Sequence, residues 1–136
     1  MKHVVLGTLA YTVGTFVLAV VWHVVLFEER YKAFGYLEGE PNFLLGLLTI
    51  LLQGVVLSVL FPWVQLRGHA YARAMKYVAL VGAFFWTSHV LAFLAKQAVE
   101  DGALFALMET FYLCLQFGLF GVCLGWIHRK EIEAAG

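Results

Sequence analysis

Of 136 residues, 62% are hydrophobic and 13% charged, a balance that excludes an ordinary soluble domain. Mean hydropathy of +0.85 names lipid as the solvent. A formal net charge of zero, with the basic residues scattered, argues against a nucleic-acid-binding surface.

The first apolar run covers residues 4–27 and stops at Glu28-Glu29-Arg30. It follows Lys2 as a secretory signal would, but it exceeds the usual core of about 7 to 15 residues and lacks a small-residue cleavage pattern, so a retained helix is expected. The second run follows Pro41 and covers 43–66, with Pro62 near its far end. The third covers 74–95 and the fourth 103–127. A membrane-crossing helix needs about 20 apolar residues, so each run is long enough to cross once and no length remains for a soluble domain. Backbone groups in lipid must be satisfied within their own segment, which favours helices. Short connections make neighbours antiparallel. The predicted fold is all-α: an integral membrane four-helix up-down-up-down bundle, in one domain spanning residues 1–136.

Lys2, Arg67, Arg73, Lys76, Arg129 and Lys130 gather at one end of this arrangement, and Arg30, Lys32 and Lys96 at the other. The positive-inside rule then puts both termini in the cytoplasm. The outer end also carries an acidic rim of Glu28, Glu29, Glu38, Glu40, Glu100 and Asp101.

Helical rise fixes depth. His23 lies roughly 7 Å in from Glu28, His89 roughly 10 Å in from Lys96, and Glu109 roughly 12 Å in from Asp101. Glu109, Tyr112, Gln116 and Phe120 recur at helical spacing on the fourth run, a stripe that lipid rejects and that should face the interior. Gly46, Thr49 and Gln53 on the second run, and Thr12, Thr15, Ala19 and His23 on the first, form comparable stripes. The expected ligand-binding seam is Glu109, His23, Gln53, Tyr112 and Gln116, centred on Glu109.

Imidazoles and a carboxylate can ligate a transition metal, which makes His23, His89 and Glu109 a candidate metal set. Two histidines on nonadjacent helices can also clasp a haem from both faces. No ligand spacing is diagnostic of either, and each residue also has a packing role: His23 as an interfacial anchor behind Trp22, His89 as a partner of Glu109. His89 is the member whose role is most readily incidental. Gly121 and Gly125 form one GxxxG, suited to close helix packing or a dimer face. Cys114 and Cys123 lie about 180° apart around one helix and cannot pair with each other. There is no HExxH, GxSxG or phosphate-binding glycine loop, so an enzyme is least favoured.

Trp22-His23-Val24-Val25-Leu26-Phe27, Gly39-Glu40-Pro41, Leu52-Gln53-Gly54, Leu60-Phe61-Pro62 and the tail from Glu109 to Gly125 containing Leu115-Gln116-Phe117 resemble a family of small, uncharacterised bacterial four-span inner-membrane proteins. The resemblance covers most of the chain. It implies the fold and a bacterial inner-membrane location without a reaction, and carries over His23, Glu40, Pro41, Gln53 and Gln116 as pattern positions. His89 lies outside that pattern, and Tyr112 stands where some relatives have histidine.

Three roles remain open. One is a binding module that takes an ion, a metal or a small ligand into the seam from outside. Another is an accessory subunit packed in a larger membrane complex. The third is a proton-coupled transporter, which at this length would need a homodimer.

Overall fold

The computed structural model describes residues 1–36, 40 and 42–134; Glu38, Gly39 and Pro41 of the sequence argument lie outside them. Four long helices account for most of the chain: α1 (Lys2–Leu26), α3 (Phe43–Trp63), α4 (Ala70–Lys96) and α5 (Gly102–Ala134). A short helix α2 (Glu28–Ala33) follows α1. All four long helices are long and apolar enough to cross a membrane.

Helix boundaries follow local chemistry. Asn42 Oδ1 accepts from the Leu45 amide at 2.9 Å and starts α3, while Asp101 Oδ1 accepts from the Leu104 amide at 3.0 Å and starts α5. Pro62 occupies the last turn of α3, and Val64 is already extended, so α3 ends before the predicted Leu66. The largest extensions beyond the predicted runs are at α4, which begins at Ala70, and at α5, which continues to Ala134. Polar ends such as Arg129 to Glu133 carry no hydropathy signal, yet they continue the α5 helix.

Two helices change their winding. From Val20 to Leu26, α1 is π-helical, and so is α4 from Thr87 to Leu91. Each π segment contains one of the two histidines, His23 and His89. Such wide turns are rare and recur at functional positions.

Lateral order follows the small residues. A side chain at Gly54 would meet the Thr8 carbonyl oxygen at 3.1 Å, and one at Gly7 would meet Ser58 Oγ at 2.6 Å, so α1 and α3 are in close contact. Likewise a Cβ at Gly125 would lie 2.5 Å from Tyr71 Cδ1 and one at Gly121 would lie 2.8 Å from Val78 Cγ2, which presses α5 onto α4. The GxxxG therefore serves packing within the chain. Contacts between α1 and α5 pair His3 with Glu131, Gln116 with Tyr11 and His23 with Glu109, low numbers on one helix meeting high numbers on the other. Around the core the order is thus α3, α1, α5, α4. The ends of this row, α3 and α4, touch where Tyr77 Oη donates to the Leu57 carbonyl at 2.7 Å and the Phe61 and Tyr77 rings meet at 5.2 Å. Farther along, toward Phe43 and Phe85, a cavity separates them.

Candidate functional site: a buried carboxylate between two histidines

Glu109 is fully buried about two turns into the long apolar helix α5. Three side chains reach it from three other elements. His23 Nε2 of α1 is 3.0 Å from Oε1, His89 Nε2 of α4 is 2.6 Å from Oε2, and Tyr31 Oη of α2 donates to Oε1 at 2.5 Å. An isolated carboxylate in such an interior is costly, and hydrogen bonds to charged or strongly polar partners are what make it tolerable.

The partners are themselves held. His23 Nδ1 lies 3.0 Å from the Ala19 carbonyl, one turn back along α1, and that oxygen can only accept, so Nδ1 carries a hydrogen. Trp22 Nε1 donates to Tyr31 Oη at 2.8 Å, which turns the phenol's own hydrogen toward Glu109. Tyr36 Oη lies 3.3 Å from His89 Nε2, and the Tyr36 ring stacks on His23 with centroids 5.5 Å apart. Tyr112 meets His23 edge-on at 4.6 Å.

This geometry fixes the hydrogen inventory. One hydrogen must occupy the gap between His23 Nε2 and Oε1, and another the gap between His89 Nε2 and Oε2, or lone pairs would face each other. With His89 a neutral imidazole protonated at Nε2, the cluster is neutral overall when one proton is shared between His23 and Glu109. A buried group of this kind is least costly when its charges cancel.

The two phenols outside the long helices respond to the same surroundings. Burial first, then the adjacent Glu109 charge, pushes Tyr31 well above the ordinary phenol range, and the same causes in the same order raise Tyr36. Both hydroxyls therefore stay protonated and available as donors.

A second polar group lies deeper. Gln116 Nε2 donates to Tyr11 Oη at 2.8 Å, and Tyr11 Oη donates to Gln53 Oε1 at 3.2 Å. These bonds use one end of each amide, leaving the amino end of Gln53 and the carbonyl end of Gln116 for a guest. Both groups border the cavity between α3 and α4, a space of about 550 Å³ that is also lined by His23, His89, Tyr112 and Thr49. Its wall therefore carries all the expected seam residues except Glu109, which stands behind the two imidazoles.

The structure thus brings Glu109, His23 and His89 into one cluster, places Tyr112 against it, and sets Gln53 and Gln116 next to it. His89, ranked last from sequence, makes the shortest histidine contact with Glu109. His23 is buried among aromatic rings rather than snorkelling to an interface. A haem would need both Nε2 atoms to face one iron; here the carboxylate stands between them, so the arrangement does not fit that group. A single metal ion would have to displace hydrogen bonds made to different carboxylate oxygens.

Tyr31, Tyr36 and Trp22 were missed as site residues. The signal was faint: in Glu28-Glu29-Arg30-Tyr31-Lys32-Ala33-Phe34, Tyr31 and Phe34 are apolar at helical spacing inside a charged segment, which marks a short amphipathic helix. Tyr36 is returned to the cluster by the turn at Gly35, whose φ of 69° requires glycine-like freedom. There the Tyr36 amide bonds the Tyr31 carbonyl and the Gly35 amide bonds the Lys32 carbonyl, each at 3.0 Å, a Schellman closure.

No family model matches the chain, and no curated protein or solved structure matches it.

Proposed function

We propose that this chain is a noncatalytic integral membrane protein that binds a small ligand in the cavity beside Glu109. In this reading the four long helices cross a bacterial inner membrane up-down-up-down, with both termini cytoplasmic. The ligand enters in the outer half, between α3 and α4. The observation that carries the reading is a fully buried carboxylate clasped by His23, His89 and Tyr31 behind the wall of a cavity of about 550 Å³. Ionisable groups at membrane depth are expensive and mark binding or transport sites. A cavity of this size, with a mostly apolar lining and a few convergent polar groups, has the character of a small-molecule site. Trp63 and Trp126, both exposed near the end that carries the termini, support the membrane placement as an interfacial aromatic band.

The guest best suited to this wall has an apolar body with both donor and acceptor groups. The free amide ends of Gln53 and Gln116 would orient it, and the imidazoles would meet its polar end. The test is extraction of the protein purified from its native membrane, followed by mass spectrometry of the small molecules released. A stoichiometric compound is expected in the wild type and is expected to fall sharply in Glu109→Gln and in Gln53→Ala, the latter leaving the carboxylate cluster intact. Equal recovery from all three proteins, or from none, overturns the proposal.

One observation favours a second reading, an accessory subunit of a larger complex. Phe43 through Thr49 of α3 are exposed on every side of the helix, a surface that a partner helix would cover. Stable copurification of a larger subunit, lost when Leu44 and Leu48 are made polar, would select it.

A further inference from the structure

At the opposite end of the bundle lies a second cluster of ionisable groups, unrelated to Glu109. His128 and Glu131 sit one turn apart on α5, and His3 comes from the first turn of α1. His3 Nδ1 is 2.8 Å from Glu131 Oε1, and His128 Nδ1 is 3.5 Å from Oε2. One ligand atom from each residue lies within 4.8 Å of the other two. We infer that His3, His128 and Glu131 form a binding site for a divalent first-row transition metal, of the zinc class, joining α1 to α5.

Chemistry supports this set. Two imidazoles and one carboxylate make a common zinc donor set, with a fourth position left for water, and His-x-x-Glu offers two of the three from one helix face. His128 supplies an independent argument. It is buried, its Nε2 has no partner among the described residues, and its Nδ1 contact is at the outer limit of a hydrogen bond. An ion held at Nδ1 replaces that long contact with a ligand bond and leaves Nε2 as the N–H, which fixes the tautomer. Ligands at about 2.0–2.2 Å from a tetrahedral zinc ion stand roughly 3.4 Å apart, so the His128–Glu131 spacing of 3.5 Å already suits it. The His3–Glu131 pair must open slightly from 2.8 Å, and any pair near the 4.8 Å limit must close by about an ångström. Glu131 and His3 have the freedom to do so, their side chains being 59% and 31% exposed. His128 is held by Phe61, whose ring packs edgewise at 4.9 Å, and forms the fixed member.

Zinc titration of the full-length protein in detergent, freed of any polyhistidine tag and competed against a chromogenic indicator, tests the site. One zinc per chain is expected, with affinity falling about tenfold or more in His3→Ala and in Glu131→Gln, and unchanged in His89→Ala. Cobalt in place of zinc should give the absorption of a four- or five-coordinate ion in the wild type and lose it in His3→Ala. His3 lies at a helix end, so unchanged melting of His3→Ala in chelator establishes that the variant folds. Binding retained in both His3→Ala and Glu131→Gln, or lost in His89→Ala alone, overturns the assignment.

Discussion

Tyr31 is the residue whose loss is most diagnostic, because its hydroxyl connects Trp22 to Glu109. In Tyr31→Phe, the Trp22 indole N–H loses its acceptor while Glu109 Oε1 keeps its His23 contact but loses a donor, a combined cost of about 1–3 kcal/mol. The expected outcome is a lower melting temperature together with a shift in Trp22 fluorescence. Glu109→Ala should be worse, about 3–5 kcal/mol, since it strands two imidazoles and a phenol at once. The same tyrosine makes an alkaline prediction. Its hydroxyl ionises in the usual phenol range in the unfolded chain and far higher in the folded one, so the folded state binds more protons once pH passes about 10. Stability should be unaffected below that value and decline above it as pH climbs toward the folded-state value, less steeply in Tyr31→Phe; thermal melts across the alkaline range would check the slope. From sequence, Glu109 was legible because nothing else explains a carboxylate in an apolar helix. Tyr31 was not, because a phenol in a charged loop looks like surface until the chain's return path is known.

Helices bring their own tests, and the glycines of α5 give a paired one. Gly125→Ala drives a methyl into the Tyr71 ring and against its backbone, at 2.5 and 3.1 Å, and should cost about 1–3 kcal/mol. Gly118→Ala meets nothing within 4 Å and should be neutral, or stabilising by up to about 1 kcal/mol through helix propensity. Unfolding of both variants in detergent separates packing from propensity. The extents of the long helices were largely readable, because an apolar run of sufficient length has one solution in lipid. Their winding was not. Rotation of His23 and His89 depends on π turns at Val20–Leu26 and Thr87–Leu91, and these segments show no composition that sets them apart from α-helix. Depth arguments from an ideal rise place such residues at the correct level, yet cannot state which way they point. This is why His89 looked dispensable until its contact with Glu109 was seen.

For the whole molecule, orientation is the open prediction. With Cys114 and Cys123 replaced by alanine and the chain expressed in a bacterial host, the proposed orientation predicts that a membrane-impermeant maleimide labels Glu40→Cys on intact spheroplasts and Arg67→Cys only after lysis. The reverse pattern would invert the assignment made from the basic residues. That four helices form was evident from hydropathy, but their lateral order was not, since four apolar rods can neighbour one another in several ways. The order α3, α1, α5, α4 is set by which small residues face which helix, information held in shape rather than in polarity.

This order leaves the wall between α3 and α4 incomplete, while the end of the cluster near α2 is filled by Tyr31, Phe34, Tyr36, Phe93 and Phe105. Among the described residues, the way toward His23 and His89 is then sideways. A guest arriving by that route would first dissolve in the lipid, so its effective concentration would be set by partitioning between water and bilayer. Apparent affinity should then depend on the lipid-to-protein ratio and rise with the oil solubility of the guest, with the protein itself unchanged.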